Sequence, residues 1–139
     1  MRIVVPVDGS EISLRAVRHA ARLAKDRPNL EIHLVNVQRP LHGAAATFVP
    51  QGAIRDYHVE EGRKALAPGE AILREAGVKF ESHILRGTPG EAINAYCRQI
   101  ACDAVVMGTR GHGSAVAALL GSTANDVLHS AEVPVTLVK

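Results

Sequence analysis

The sequence has no tryptophan, and aromatic residues make up only 3% of it. A core must therefore be built from Val, Leu, Ile and Ala. The shortage of rings also argues against a single-strand nucleic-acid binder, which stacks bases on aromatic side chains. Cysteine is equally scarce. Cys97 and Cys102 are the two present, and they do not form a CxxC pair. A disulfide framework is not expected, and a reducing, cytoplasmic setting is the natural reading. No apolar stretch approaches the ~20 residues of a membrane span. The apolar run at the amino terminus meets Asp8 at once, unlike a secretory leader. The net charge is only +2, with acidic and basic residues interspersed. Neither DNA nor an anionic membrane is implied as a partner. Seven histidines are scattered, with no pair or His/Cys cluster at metal-ligand spacing, so they read as surface and packing residues.

What is present is aliphatic and periodic. Hydrophobic residues make up 47% of 139 residues, enough for one domain with a substantial core. Ile3-Val4-Val5-Pro6-Val7 reads as a strand buried on both faces. Asp8-Gly9-Ser10 then turns the chain into a helix with Leu14, Val17, Ala21 and Ala24 on its apolar side, ending before Pro28. Leu30 to Val37 is a second strand, followed by a long loop from Gln38 to about Gly52. A helical region spans about Ala53 to Ala76, with Gly77 as its cap and a kink or break expected at Pro68-Gly69. Val78 to Ile84 alternates as strand three. Thr88-Pro89-Gly90-Glu91 is a capping box that starts a helix carrying Ile93, Tyr96, Cys97 and Ile100. Asp103 to Met107 is strand four, and a last helix with Val127, Leu128 and Ala131 leads to strand five, Val133 to Val138. Strands alternating with helices predict a mostly parallel sheet covered on both faces. Without a linker or internal repeat, residues 1–139 read as a single domain.

In open α/β sheets, ligands bind outside the carboxyl ends of the strands, where strand order reverses. Three strand-to-helix loops qualify: Asp8-Gly9-Ser10, Arg86-Gly87-Thr88, and Gly108 to Ser122. The last carries Gly108-x2-Gly111-x9-Gly121-Ser122. Glycines let backbone N–H groups approach phosphate oxygens, and a helix start after Gly121 favours an anion. Ser122 adds a hydroxyl, either as the helix cap or as a phosphate ligand. The competing reading is that these glycines only shape turns.

On these same residues the chain resembles the universal stress protein family over essentially its whole length. Ile3 to Ser10 resembles the family's first strand and loop, and Met107-Gly108-Thr109-Arg110-Gly111 its fourth strand and loop. Gly121-Ser122 and Val133-Pro134-Val135 match its closing pattern. The glycine spacing marks the ATP-binding class of that family. The resemblance implies a flavodoxin-like α/β fold, an open parallel five-stranded sheet of order 3-2-1-4-5 with helices on both faces. The reversal then falls between strands one and four.

The resemblance also implies a site. Pro6, Val7 and Val37 wall an adenine pocket, with Met107 nearby. Asp8 sits near ribose and phosphates, as a hydroxyl acceptor or through Mg²⁺. Gly108 and Gly111 line the ribose and phosphate path, and Gly121, Ser122 and Thr123 hold the phosphates. Each has a plainer alternative: Val7, Val37 and Met107 as core, Asp8 as a helix cap, Arg110 as a solvated cation, His112 as a loop histidine.

No G-x-x-x-x-G-K-[ST] occurs, so a P-loop NTPase is excluded. Gly111 to Val116 starts like a dinucleotide fingerprint but lacks the third glycine. A phospho-accepting receiver would need Asp where strand three ends in Leu85-Arg86-Gly87. The expected function is ATP binding by a regulatory module. Slow ATP hydrolysis or phosphotransfer, and a nucleotide-free interaction module, are the alternatives. Homodimerisation through Val133–Val138, an apolar edge strand, follows from the resemblance.

Overall fold

The computed structural model describes residues 1–41, 48–111 and 119–139. Its strands are β1 (Arg2–Pro6), β2 (Glu31–Gln38), β3 (Phe80–Arg86), β4 (Ala104–Gly108) and β5 (Val135–Val138). Its helices are α1 (Glu11–Lys25), α2 (Gln51–Glu75), α3 (Pro89–Ile100) and α4 (Ser122–Ser130). The sheet order is β3-β2-β1-β4-β5, with every neighbouring pair parallel. Chain order reverses between β1 and β4.

Alternation along the buried strands divides the core into two layers. Ile3, Val5, Ile32, Leu34 and Val106 join Ala16, Val17, Ala20, Leu66 and Leu73 on the side of α1 and α2. Val4, Val35, Val105 and Met107 join Ile93, Tyr96, Ala124 and Val127 on the side of α3 and α4. Strands β1 and β4 are apolar on both faces because both faces are covered.

Helix α2 is continuous through Pro68, so the expected break is absent. Proline forgoes one backbone hydrogen bond to the preceding turn. Leu66, Gly69 and Leu73 are buried on either side of it. A Cβ on Gly69 would already touch Leu34 and Val17 at 3.4 Å, so the helix lies close on the sheet there. This packing outweighs the lost bond. The helix ends as Gly77 predicts: its φ is +68°, its N–H reaches Arg74 O, and Val78 N–H reaches Leu73 O. That is a Schellman closure, which needs the left-handed residue.

Helix α3 begins at Pro89 with Glu91 in its first turn, but the Thr88 hydroxyl makes no capping hydrogen bond. The helix thus starts where the capping box predicts, without the Thr88 bond that defines the box. At the other end of α3, Ala101 is left-handed and the Cys102 N–H bonds to Cys97 O at 2.9 Å. This turn folds residue 102 over residue 97, with Cα atoms 4.9 Å apart, and the two cysteines form a disulfide. Separate thiols were expected from their spacing; the tight turn is what joins them.

Candidate functional site

A cleft with about 670 Å³ of open space lies at the carboxyl ends of β1 and β4. All ten residues expected from the sequence line it. Pro6 and Val7 come from the end of β1, Val37 from β2, and Met107 and Gly108 from β4. Asp8 and Gly111 come from the two loops, and Gly121, Ser122 and Thr123 from the start of α4. His112 and most of the partial dinucleotide fingerprint fall outside the described residues, as do residues 42–47 of the Gln38–Gly52 loop.

The Asp8 loop is built locally. Gly9 has φ +85°, a conformation side chains resist, and it turns the chain from β1 towards α1. Asp8 Oδ1 accepts the Ser10 N–H at 2.9 Å. Ser10, not Asp8, is the cap of α1, its hydroxyl accepting the Ser13 N–H at 3.2 Å. The Asp8 carboxylate therefore braces the loop rather than capping the helix.

The two loops meet closely. A Cβ on Gly111 would collide with Asp8 Oδ2, and one on Gly108 would lie 2.6 Å from Ile12 Cγ2. Gly108, where that Cβ would also lie 3.2 Å from the backbone of Ile12 and Arg110, thus has a structural reason to be glycine, independent of any ligand, whereas a side chain at Gly111 would displace the Asp8 carboxylate. Val7 and Met107 are likewise both core and cleft: each is buried in one of the two layers and exposes an edge to the cleft.

The start of α4 differs from the sequence reading in one respect. Gly121, in an extended conformation (φ −73°, ψ 166°), is the N-cap, and no side chain caps the helix. Ser122 is the first helical residue, so its role as a cap is set aside. A helix start carries backbone N–H groups without intrahelical partners and a partial positive charge. Here that end opens into the cleft.

Several lining residues carry no motif. Asn36 is buried; its Nδ2 donates to Val7 O at 2.8 Å and its Oδ1 accepts from Gln38 Nε2 at 2.7 Å. It ties the end of β2 to the end of β1 under the cleft. A polar residue between Val35 and Val37 was the one available signal. Ile93 and Pro89 reach the cleft from α3, which sequence spacing could not place. Arg110, read above as solvated, also lines it. Among the described lining residues Asp8 is the one carboxylate and Arg110 the one cation.

The sequence matches the Universal stress protein family over residues 1–139. It is 36% identical over 143 residues to Universal stress protein MJ0531 of Methanocaldococcus jannaschii, covering 99% of this chain and 81% of that one. The fold superposes on a universal stress protein solved in complex with cAMP, with TM-score 0.75 and 25% identity over 100% of this chain and 97% of the other. It also superposes on the universal stress protein from Archaeoglobus fulgidus in complex with dAMP, with TM-score 0.72 and 27% identity over 100% and 98% of the two chains. The chain belongs to the universal stress protein family.

Proposed function

We propose that this protein binds an adenine nucleotide, ATP with Mg²⁺, in the cleft between the β1 and β4 loops, and acts as a nucleotide-dependent regulatory module. One observation carries the reading: ten residues scattered from position 6 to position 123 converge on a single cleft at the reversal of strand order. The relatives solved with cAMP and dAMP support the adenine class.

The residues present fit such a ligand. Pro6, Val7, Val37 and Met107 supply apolar walls for a base. Gly121, Ser122 and Thr123 bring an uncapped helix start to the same cleft, suited to phosphate oxygens. Asp8 offers a carboxylate to a ribose hydroxyl or to the Mg²⁺ that accompanies the phosphates. A bound Mg²⁺ would neutralise phosphate charge. Among the described lining residues Asp8 is the one carboxylate, and it is already engaged with the Ser10 N–H. This favours binding over efficient hydrolysis, which also needs a positioned water and stabilisation of developing charge.

The test is calorimetric titration of nucleotide-stripped protein with Mg-ATP, then with ADP and AMP. Gly121 has an extended backbone that any residue adopts. Gly121→Val is therefore free of backbone strain and should lose affinity, its fold checked by circular dichroism because the position is buried. Micromolar binding that is lost in this variant supports the site. No binding by folded protein would leave the cleft glycines as turn formers and favour a nucleotide-free interaction module. Rapid ATP turnover abolished by Asp8→Ala would replace the regulatory reading with an enzymatic one.

A further inference from the structure

The opposite end of the sheet holds a cluster that the cleft does not use. His33 on β2 pairs in register with Glu81 on β3, and Val35 with His83. The side-chain period of two places His33, Glu81 and His83 on one face, the face covered by α3. His33 is only 5% exposed, and its Nε2 is buried without a hydrogen-bond partner. The nearest acceptors are Glu31 Oε2 at 3.6 Å and Glu81 Oε2 at 3.7 Å, too far for a hydrogen bond. His83 Nε2 lies 3.7 Å from the other Glu81 oxygen. One ligating atom from each of His33, Glu81 and His83 falls within 4.8 Å of the others.

We propose that His33, Glu81 and His83 bind a divalent transition-metal ion of the zinc class. Two imidazoles and a carboxylate are the donor set such ions favour, whereas Mg²⁺ and Ca²⁺ prefer oxygen alone. Zinc–ligand bonds of about 2.0–2.2 Å in a tetrahedron put neighbouring donors about 3.4 Å apart. The two His–Glu81 separations of 3.7 Å, each to a different carboxylate oxygen, need to close by a few tenths of an ångström, and the two imidazoles, whose ligating atoms lie within 4.8 Å, must converge with them. Glu81 and His83 are on the edge strand and partly open to solvent, so they can make that adjustment.

The surroundings prepare His33 for this role. Its Nδ1 lies 3.0 Å from the Tyr96 hydroxyl. A proton on Nδ1, donated to the phenol oxygen, leaves the Nε2 lone pair facing Glu81 and His83. An outer hydrogen bond of this kind is what metal-bound histidines use to hold their tautomer. Arg2 holds Glu31 through a 3.0 Å ion pair, so Glu31 stays an outer carboxylate and solvent takes the fourth position. His33 lies four residues before Val37, about 13 Å along the strand, so the site is separate from the cleft.

The experiment uses the full chain, stripped of nucleotide and metal, titrated with Co²⁺ and followed by its visible absorption, then with Zn²⁺ as competitor. One equivalent should bind with a tetrahedral spectrum and be displaced by Zn²⁺. His83→Ala and Glu81→Gln, both on the partly exposed edge strand, should each weaken binding about tenfold or more. His129→Ala, on exposed α4, should leave it unchanged. Absence of one-equivalent binding, or binding that survives both edge-strand substitutions in folded protein, would overturn the assignment.

Discussion

At the scale of single residues, buried polar groups carry the most consequence. Asn36 satisfies the Val7 carbonyl and is itself satisfied by Gln38. Asn36→Ala leaves that carbonyl without its side-chain donor beneath the cleft. We expect a loss of about 1–3 kcal/mol in denaturant unfolding, because an orphaned buried polar group keeps its desolvation cost. Tyr96 is a second case. Burial pushes its phenol pKa up, and the Glu81 charge adds to this. Its folded pKa therefore lies above its unfolded value. Its contribution to stability is full below the ordinary phenol value of about 10 and is lost as pH rises through the higher folded value. Unfolding measured along an alkaline series should show this loss, and Tyr96→Phe should flatten it.

At the scale of elements, close approaches set the geometry around the cleft. Gly90, in the first turn of α3, lies against Asp126 of α4, whose backbone atoms would be 3.2 and 3.3 Å from an added Cβ. Backbone cannot yield as a flexible side chain can. Gly90→Ala should cost about 1–3 kcal/mol by overpacking, read as a lower denaturation midpoint. It should also weaken the proposed nucleotide binding, because α4 and its cap supply Gly121, Ser122 and Thr123. Helix α2 illustrates the opposite balance. Pro68 and Gly69 are breakers by local propensity, yet Leu66 and Leu73 anchor the helix across them. The disulfide of Cys97 with Cys102 likewise depends on the left-handed turn at Ala101, which no residue type announced.

At the scale of the whole molecule, β5 is an edge strand bonded to β4 alone. Its Val135, Leu137 and Val138 are partly exposed. We propose that two copies pair along this edge, within the segment Val133–Val138. Pro134 lacks an N–H, and its carbonyl already accepts from Val105 N–H at 3.0 Å. Pairing must therefore run along the residues that follow it. Sedimentation at micromolar protein should give twice the chain mass, and Leu137→Lys should halve it. A monomer at that concentration would sink the proposal. No helix among the described residues is long and apolar enough to cross a membrane.

The sequence by itself determined the α/β class and the candidate loops; the cleft between β1 and β4 and its lining came through the resemblance. Continuous apolar runs required strands covered on both faces, alternation of strands with helices required parallel pairing, and the glycine spacing located the loops between β4 and α4. These are properties of neighbours in the chain, where period and turn chemistry act directly. Sheet order came through resemblance, and the structure has that order. What tertiary structure alone decided lies between residues far apart in sequence. Asn36 reaches Val7, Ile93 reaches the cleft, and α2 continues unbroken through Pro68 because of the sheet beneath it. The histidines are the clearest example. His33 and His83 have no ligand spacing along the chain, and only the parallel register of β2 with β3 brings them to one face beside Glu81. Local pattern encodes which face a side chain takes; the strand partner decides what it meets there.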